Sequence, residues 1–218
     1  MEDVLKNLAQ PQALSPMGQK VLDAAVELLR TTGELSMRKL VESAGVAGMT
    51  PYNLFGSKHG LLRALSQKEL NRAVKSLQQA PVQDSLERLF AALDMGFQTF
   101  SSDEVYFRAL YRAAYASGDP AMIEIFQVPR SAYWNSLLDA CRDDGFLLEE
   151  GRSETITQIL MYTYIGAVQR WIELTINTRQ LYAEINFTLN ILMLSQATPK
   201  ATDRIQRRMK YWESFLYI

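Results

Sequence analysis

The sequence predicts an all-α chain: an N-terminal helix-turn-helix unit followed by a larger helical domain. Three observations carry this. Of 218 residues, 48% are apolar and 22% charged, the balance of a chain that buries a core. Seven prolines and eleven glycines are too few to punctuate many short strands. Good helix formers abound, and apolar residues recur at helical spacing through most of the chain.

The elements follow in order. After an arm of about 14 residues, Val21, Leu22, Ala25, Val26, Leu28 and Leu29 mark a helix from Pro16 to Thr31, closed by Thr32 and Gly33. Ser36 caps a short helix bearing Met37, Leu40, Val41 and Ala44. Gly45 then permits a left-handed turn, and a third helix follows by Leu54 and Phe55. Two short helices joined by a tight glycine turn are the helix-turn-helix layout. Ser57 caps a longer helix to about Gln79, and Pro81 marks the break. Leu86, Leu89, Phe90, Leu93, Phe97 and Phe100 form one apolar stripe on a helix ending near Ser101 and Ser102. Asp103 opens an aromatic-rich helix closed by Ser117, Gly118, Asp119 and Pro120. Ala121 to Asp144 reads as helical, with a candidate break at Val128 and Pro129, because proline removes a donor. Ser153 caps a helix to about Ile176, a second runs from Arg179 to Gln196, and after Pro199 an amphipathic helix ends at Ile218.

The helices at 153–176 and 179–196 are apolar on nearly every face. They need cover on all sides, and the rest of the domain has little to supply it. They are therefore expected to form the seam of a symmetric homodimer, two helices from each copy. The alternative is a pair of central helices in a monomer.

The net charge of −1 excludes a sequence-blind nucleic-acid coat held by charge. Any such contact must be local, and the charge is uneven: residues 1–80 hold ten Lys and Arg against seven Asp and Glu, residues 81–218 thirteen against seventeen. One histidine and one cysteine make no zinc-ligand set, and Cys141 has no partner for a disulfide within the chain. Cys141 beside Arg142 reads as an inert thiol or a redox sensor. The start lacks a signal-peptide pattern, and polar residues interrupt 156–176, so a soluble, cytoplasmic chain is expected. His59 has no acid or nucleophile arranged beside it, and Gly18, Gly33, Gly45 and Gly48 make no phosphate fingerprint. No catalytic residue, metal or cofactor is expected.

The chemistry gathers around the turn. Ser36, Arg38 and Lys39 place a capping hydroxyl and two cations at a helix start, where the dipole ordinarily favours acids; Ser57, Lys58 and His59 repeat the inversion. Such starts suit phosphate oxygens. Between them runs Ala44-Gly45-Val46-Ala47-Gly48-Met49-Thr50-Pro51-Tyr52-Asn53-Leu54-Phe55-Gly56-Ser57-Lys58. With Leu22-Asp23-Ala24-Ala25, Leu28-Leu29, Gly33 and Leu61-Leu62, this stretch resembles the TetR family of bacterial transcriptional repressors, over Lys20 to about Leu65.

The resemblance implies a DNA-binding domain at 1–60, a helical ligand-binding and dimerisation domain at 61–218, and loss of DNA affinity when a small molecule binds. By position, Thr50 and Tyr52 would touch DNA and Lys58 a phosphate, while Ala25, Leu40, Val46 and Phe55 read as core of the small domain. Pro51 departs from the family pattern. In mid-helix it would cost about 3 kcal/mol, so Thr50 is expected to cap the recognition helix and Pro51 to be its first residue. Ala47, Gly48 and Met49 would then be turn-like and close to backbone or thymine methyl groups, and Asn53 and Tyr52 are the main candidates for base edges, Asn53 for adenine. Half-site spacing and DNA shape would supply much of the specificity.

For the ligand, Phe107, Tyr111, Tyr115, Met122, Phe126, Trp134, Met161, Tyr162, Tyr164 and Trp171 offer an apolar wall with hydroxyl and indole handles. Ordinary core packing is the bland reading of each. Arg108 and Arg112 could take a carboxylate or lie on a solvated surface, and Arg204, Arg207, Arg208 and Lys210 read as a solvated run. The expectation is a repressor released from a palindromic operator by a small apolar or aromatic effector. The alternatives are a helical small-molecule binder or enzyme without site-specific DNA binding, and a protein-interaction module.

Overall fold

The computed structural model describes residues 14–115 and 120–217, with side chains described for 14–115 and 126–217. The expected arm, the closing residues Ser117, Gly118 and Asp119, and the side chain of Met122 lie outside this description. Among the described residues there are ten α-helices.

α1 (Pro16–Thr32) starts at Ser15, whose hydroxyl accepts from the Gly18 N–H, and ends where Gly33 turns left-handed at φ 69°. Its buried face contains all six predicted apolar residues. α2 (Met37–Ala44) is capped by Ser36 and stopped by Gly45 at φ 58°, the left-handed turn that glycine adopts without a Cβ clash. α3 (Thr50–Phe55) has six residues, as short as expected. Its start differs from expectation. Met49 holds the capping position with no side-chain bond, Thr50 is the first helical residue and Pro51 the second. Proline is tolerated there because first-turn N–H groups have no helical partner, and burying its ring leaves the helix intact.

α4 (Lys58–Gln78) is capped by the Ser57 hydroxyl and runs past position 60, packing on α1 and α3 and then on the helices that follow. It buries Leu61, Leu62 and Leu65 near its start and Leu70, Val74 and Leu77 further on, so one core joins the small unit to the larger one. α5 (Ser85–Ser102) starts from Asp84, whose carboxylate accepts the Glu87 N–H at 2.8 Å. α6 (Glu104–Tyr115) packs against α1. α7 (Pro120–Asp143) runs through Pro129 without the candidate break, since packing on α4, α5 and α8 outweighs one lost donor.

α8 (Ser153–Ile172) and α9 (Thr178–Leu194) pack on each other, and α10 (Pro199–Glu213) packs on α9. Ser153 does not cap α8. Its hydroxyl accepts from Arg142 at 2.6 Å, a bond to α7 that competes for the same oxygen. α8 stops at Ile172 rather than Ile176: Leu174 takes a positive φ of 62° and Thr175 turns back to bond the Arg170 carbonyl. α9 has a full capping box between Asn177 and Gln180. α10 ends at Glu213, short of Ile218.

Part of the predicted basic run on α10 is not solvated. Arg204 makes a bidentate pair with Asp84, and Arg208 binds Asp94 and the Asn186 side chain, which ties α10 to α5 and α9. Arg207 and Lys210 are exposed. Among the described residues no helix is long and apolar enough to cross a membrane. α8 and α9 keep an open side, with Ile159, Tyr162 and Ile191 exposed.

Candidate DNA-binding and effector sites

The helix-turn-helix presents a polar rim over an apolar base. Leu40 and Ala25 are fully buried, and Val46 and Phe55 are partly buried against the same core. Above them Arg38, Lys39, Met49, Tyr52, Asn53 and Lys58 are all exposed, while Ser36 and Thr50 are half-buried. The Ser36 hydroxyl accepts the Lys39 N–H at 3.5 Å, and the Ser57 hydroxyl accepts the Gly60 N–H at 3.1 Å. Both hydroxyls thus accept from their own helices and keep a proton to donate. The cations and the ends of Tyr52 and Asn53 are the groups turned outward.

Gly60 sets the angle between α3 and α4. A Cβ there would lie 1.8 Å from the Phe55 carbonyl oxygen, so the first turn of α4 presses on the last residue of α3 at backbone distance. Sequence reading missed it, because a glycine in a first helical turn has no signature that separates close approach from indifference.

The predicted effector residues divide into three groups. Tyr111, Tyr115, Phe126 and Tyr164 come together: Tyr111 and Tyr115 stack at 6.0 Å, Phe126 stands edge-on to Tyr111 at 5.6 Å, and the Tyr111 and Tyr164 hydroxyls share a hydrogen bond. Phe107 and Trp171 lie next to this cluster through Phe100, which stacks on Phe107 at 4.5 Å and sits 5.6 Å from Trp171 and 5.5 Å from Tyr111. Trp134 is half-buried against Tyr133, and Met161 is buried. Tyr162 is 64% exposed on the open side of α8, bonded to Gln158, and does not join the cluster.

A cation that sequence reading passed over stands at the centre of the first group. Arg130 on α7 donates from Nη1 to the Ser66 hydroxyl on α4 at 3.1 Å and to the Phe126 carbonyl at 2.6 Å, and its guanidinium lies over the rings of Phe126 and Tyr111. Burial pushes the Tyr115 and Tyr164 hydroxyls well above the usual tyrosine range, so both stay protonated donors at neutral pH. The Tyr115 hydroxyl is buried with no hydrogen-bond partner.

The N-terminal geometry has a counterpart among known proteins. Residues 21–65 match the model of the bacterial regulatory proteins of the tetR family. Over these residues the helix-turn-helix is similar to the N-terminal domain of that family. The fold of the larger unit is also that of TetR-family structures. A TetR transcriptional regulator from Rhodococcus sp. RHA1 aligns at TM-score 0.62 and 18% identity, over 84% of this chain and 97% of that one. Full-length TylP, a TetR regulator from Streptomyces fradiae, aligns at TM-score 0.63 and 19% identity, over 91% and 89%. The TetR-family protein CprB from Streptomyces coelicolor, in complex with its biological operator sequence, aligns at TM-score 0.55 and 17% identity, over 91% and 96%. No curated protein matches.

Three further candidates are resolved within this TetR-type fold. Arg108 is not a solvated surface residue: it pairs with Glu104 and lies 4.3 Å from the Trp171 ring, while Glu104 also accepts from Thr178. Arg112 donates to the Ile172 carbonyl at 3.3 Å. Cys141 is fully buried and burial pushes its thiol up to about 12, the setting of an inert thiol.

Proposed function

We propose that the protein is a ligand-responsive DNA-binding transcriptional regulator, a repressor that leaves a palindromic operator when a small effector binds. The observation that carries this is the outward set on the TetR-family domain: Arg38, Lys39, Tyr52, Asn53 and Lys58 exposed around a six-residue recognition helix. Arg38, Lys39 and Lys58 have the chemistry for phosphates, Asn53 for an adenine edge, and Met49, 63% exposed, for a thymine methyl. Ser36 and Thr50 lend backbone positioning at the two helix starts.

In this reading residues 1–60 bind DNA and 61–218 bind the effector and a second copy. The open sides of α8 and α9 meet their two-fold mates in a homodimer, which sets the separation of the two recognition helices. An effector held by Tyr111, Tyr115 and Tyr164, and by Phe107, Trp134, Met161 and Trp171, shifts α4, and affinity for a fixed half-site spacing falls. That requires the effector to bind the two states with different affinity. The protein acts in the cytoplasm, without catalysis or cofactor.

Selection of bound duplexes from random DNA, followed by anisotropy titration of the winner at two salt concentrations, tests this. A palindromic winner bound at least a thousandfold more tightly than random DNA is the expected result. Weak binding indifferent to sequence would move the assignment to a helical small-molecule binder.

A further inference from the structure

Arg130 is a half-buried cation set among aromatic rings, and among the described residues no carboxylate pairs with it. Four other half-buried arginines, Arg108, Arg142, Arg204 and Arg208, each hold a carboxylate. Around Arg130, among the described residues, there are only neutral groups: the Ser66 hydroxyl, the Phe126 carbonyl and ring, and the hydroxyls of Tyr111, Tyr115 and Tyr164. A guanidinium cannot shed its proton at physiological pH, so its charge is carried into the protein interior and left to dipoles. Arg130, Tyr115 and Tyr164 are each half-buried where α4, α6, α7 and α8 come together. The bonds to Ser66 and the Phe126 carbonyl both leave from Nη1, and the Tyr111 hydroxyl also approaches the guanidinium, so an anion taking two of its forked donors would replace neutral hydroxyl partners. The buried Tyr115 hydroxyl, without an acceptor, is a further donor on the same side as the Tyr111 ring it stacks on.

We infer that the effector is an organic acid whose carboxylate binds Arg130 with help from the tyrosine hydroxyls, while its apolar body lies against Phe126 and the tyrosine rings. This rests on the regulator reading and gives that site its ligand class. It also names the link to DNA. Ser66 is buried on α4, the helix that follows the recognition helix after Gly56 and Ser57, and its side-chain bond to α7 is the one from Arg130. A carboxylate bound on the other donors of the fork pulls the guanidinium away from Ser66, lengthening the Nη1 bond and loosening α4 from α7.

The test is calorimetric titration of the full-length protein with hexanoate, octanoate, decanoate, phenylacetate and cinnamate, each beside its primary amide, with no DNA present. At least one acid is expected to bind about tenfold or more tightly than its amide. Arg130→Met should bring acid and amide within about threefold of each other, and Arg130→Lys, which keeps the charge, should retain part of the difference. Circular dichroism melts establish that both variants are folded. If no acid in the set outbinds its amide, or if Arg130→Met keeps the full preference, the assignment is wrong. Ser66→Ala should bind the acid at least as tightly as the wild type, yet show a smaller loss of operator affinity when acid is added. Acid-selective binding that leaves operator affinity unchanged would sink the regulator reading and the Ser66 link, while leaving the acid site standing.

Discussion

Lys58 and Asn53 stand five residues apart on successive helices, and their chemistry predicts separable effects. Lys58→Ala should weaken binding to all duplexes alike and reduce the slope of log affinity against log salt by about one, because one fewer phosphate is neutralised. Asn53→Ala should leave that slope unchanged and cost roughly 1–3 kcal/mol on the selected operator alone. Equal losses on every sequence would remove Asn53 from base readout. Their exposure was legible in the sequence, because charged and amide groups beside a helix-turn-helix have few uses other than facing outward. Arg130 was not legible. Nothing in Val128-Pro129-Arg130 distinguishes a solvated cation from a buried one, and only the approach of Ser66 on α4 makes the difference. Thr50 and Ser153 misled for a related reason: a hydroxyl before a helix has two possible clients, and for Ser153 the Arg142 guanidinium took it.

At the scale of elements, the start of α5 is joined to α10 through one carboxylate with two tasks. Asp84 caps α5 by accepting the Glu87 N–H and holds Arg204 in a bidentate pair, and Arg204 keeps its carboxyl below the usual range. Because the folded value is depressed, the stabilisation is fully present above the unfolded value near 3.8 and is lost as pH falls through the folded one. Asp84→Ala should therefore lower stability by roughly 1–2 kcal/mol at neutral pH, and Asp84→Asn, which keeps a capping oxygen, by roughly half that. Urea melts at neutral pH and near pH 3 should show the difference between wild type and Asp84→Asn shrinking in acid; a constant gap would mean the ion pair contributes nothing. Gly60→Ala gives the complementary case at α4. Its Cβ meets backbone, which yields only by moving α3, so roughly 1–3 kcal/mol of stability or a displaced recognition helix should result. Reduced operator affinity with effector binding preserved is the expected readout, and full affinity would mean that the α3 to α4 angle is not fixed there. Caps and apolar period located these helices from sequence. The interhelical ties were not legible, since pairing Asp84 with Arg204 needs a fold that brings residues 120 positions apart together.

At the scale of the molecule, the order of helices and the division of charge were readable because each helix carries its own stripe. Most apolar side chains of α8 and α9 are covered within the chain, and what remains is a side bearing Ile159, Tyr162 and Ile191. On a single copy this apolar surface faces water, which favours a mate with the same face across a two-fold axis. In such an interface each residue near the axis meets its own copy, so one added acid places two like charges together in a desolvated seam. Ile159→Glu with Ile191→Glu should raise the dimer dissociation constant by roughly a hundredfold or more. Both side chains are exposed in the single chain, so helicity should be unchanged. Sedimentation equilibrium across micromolar concentrations measures the association, and circular dichroism the fold. A wild type that stays monomeric, or a double variant that dimerises as well as the wild type, would place the seam elsewhere. Where the seam is lost, affinity for a palindrome should fall toward that of a single half-site, because the two recognition helices no longer share one rigid spacing.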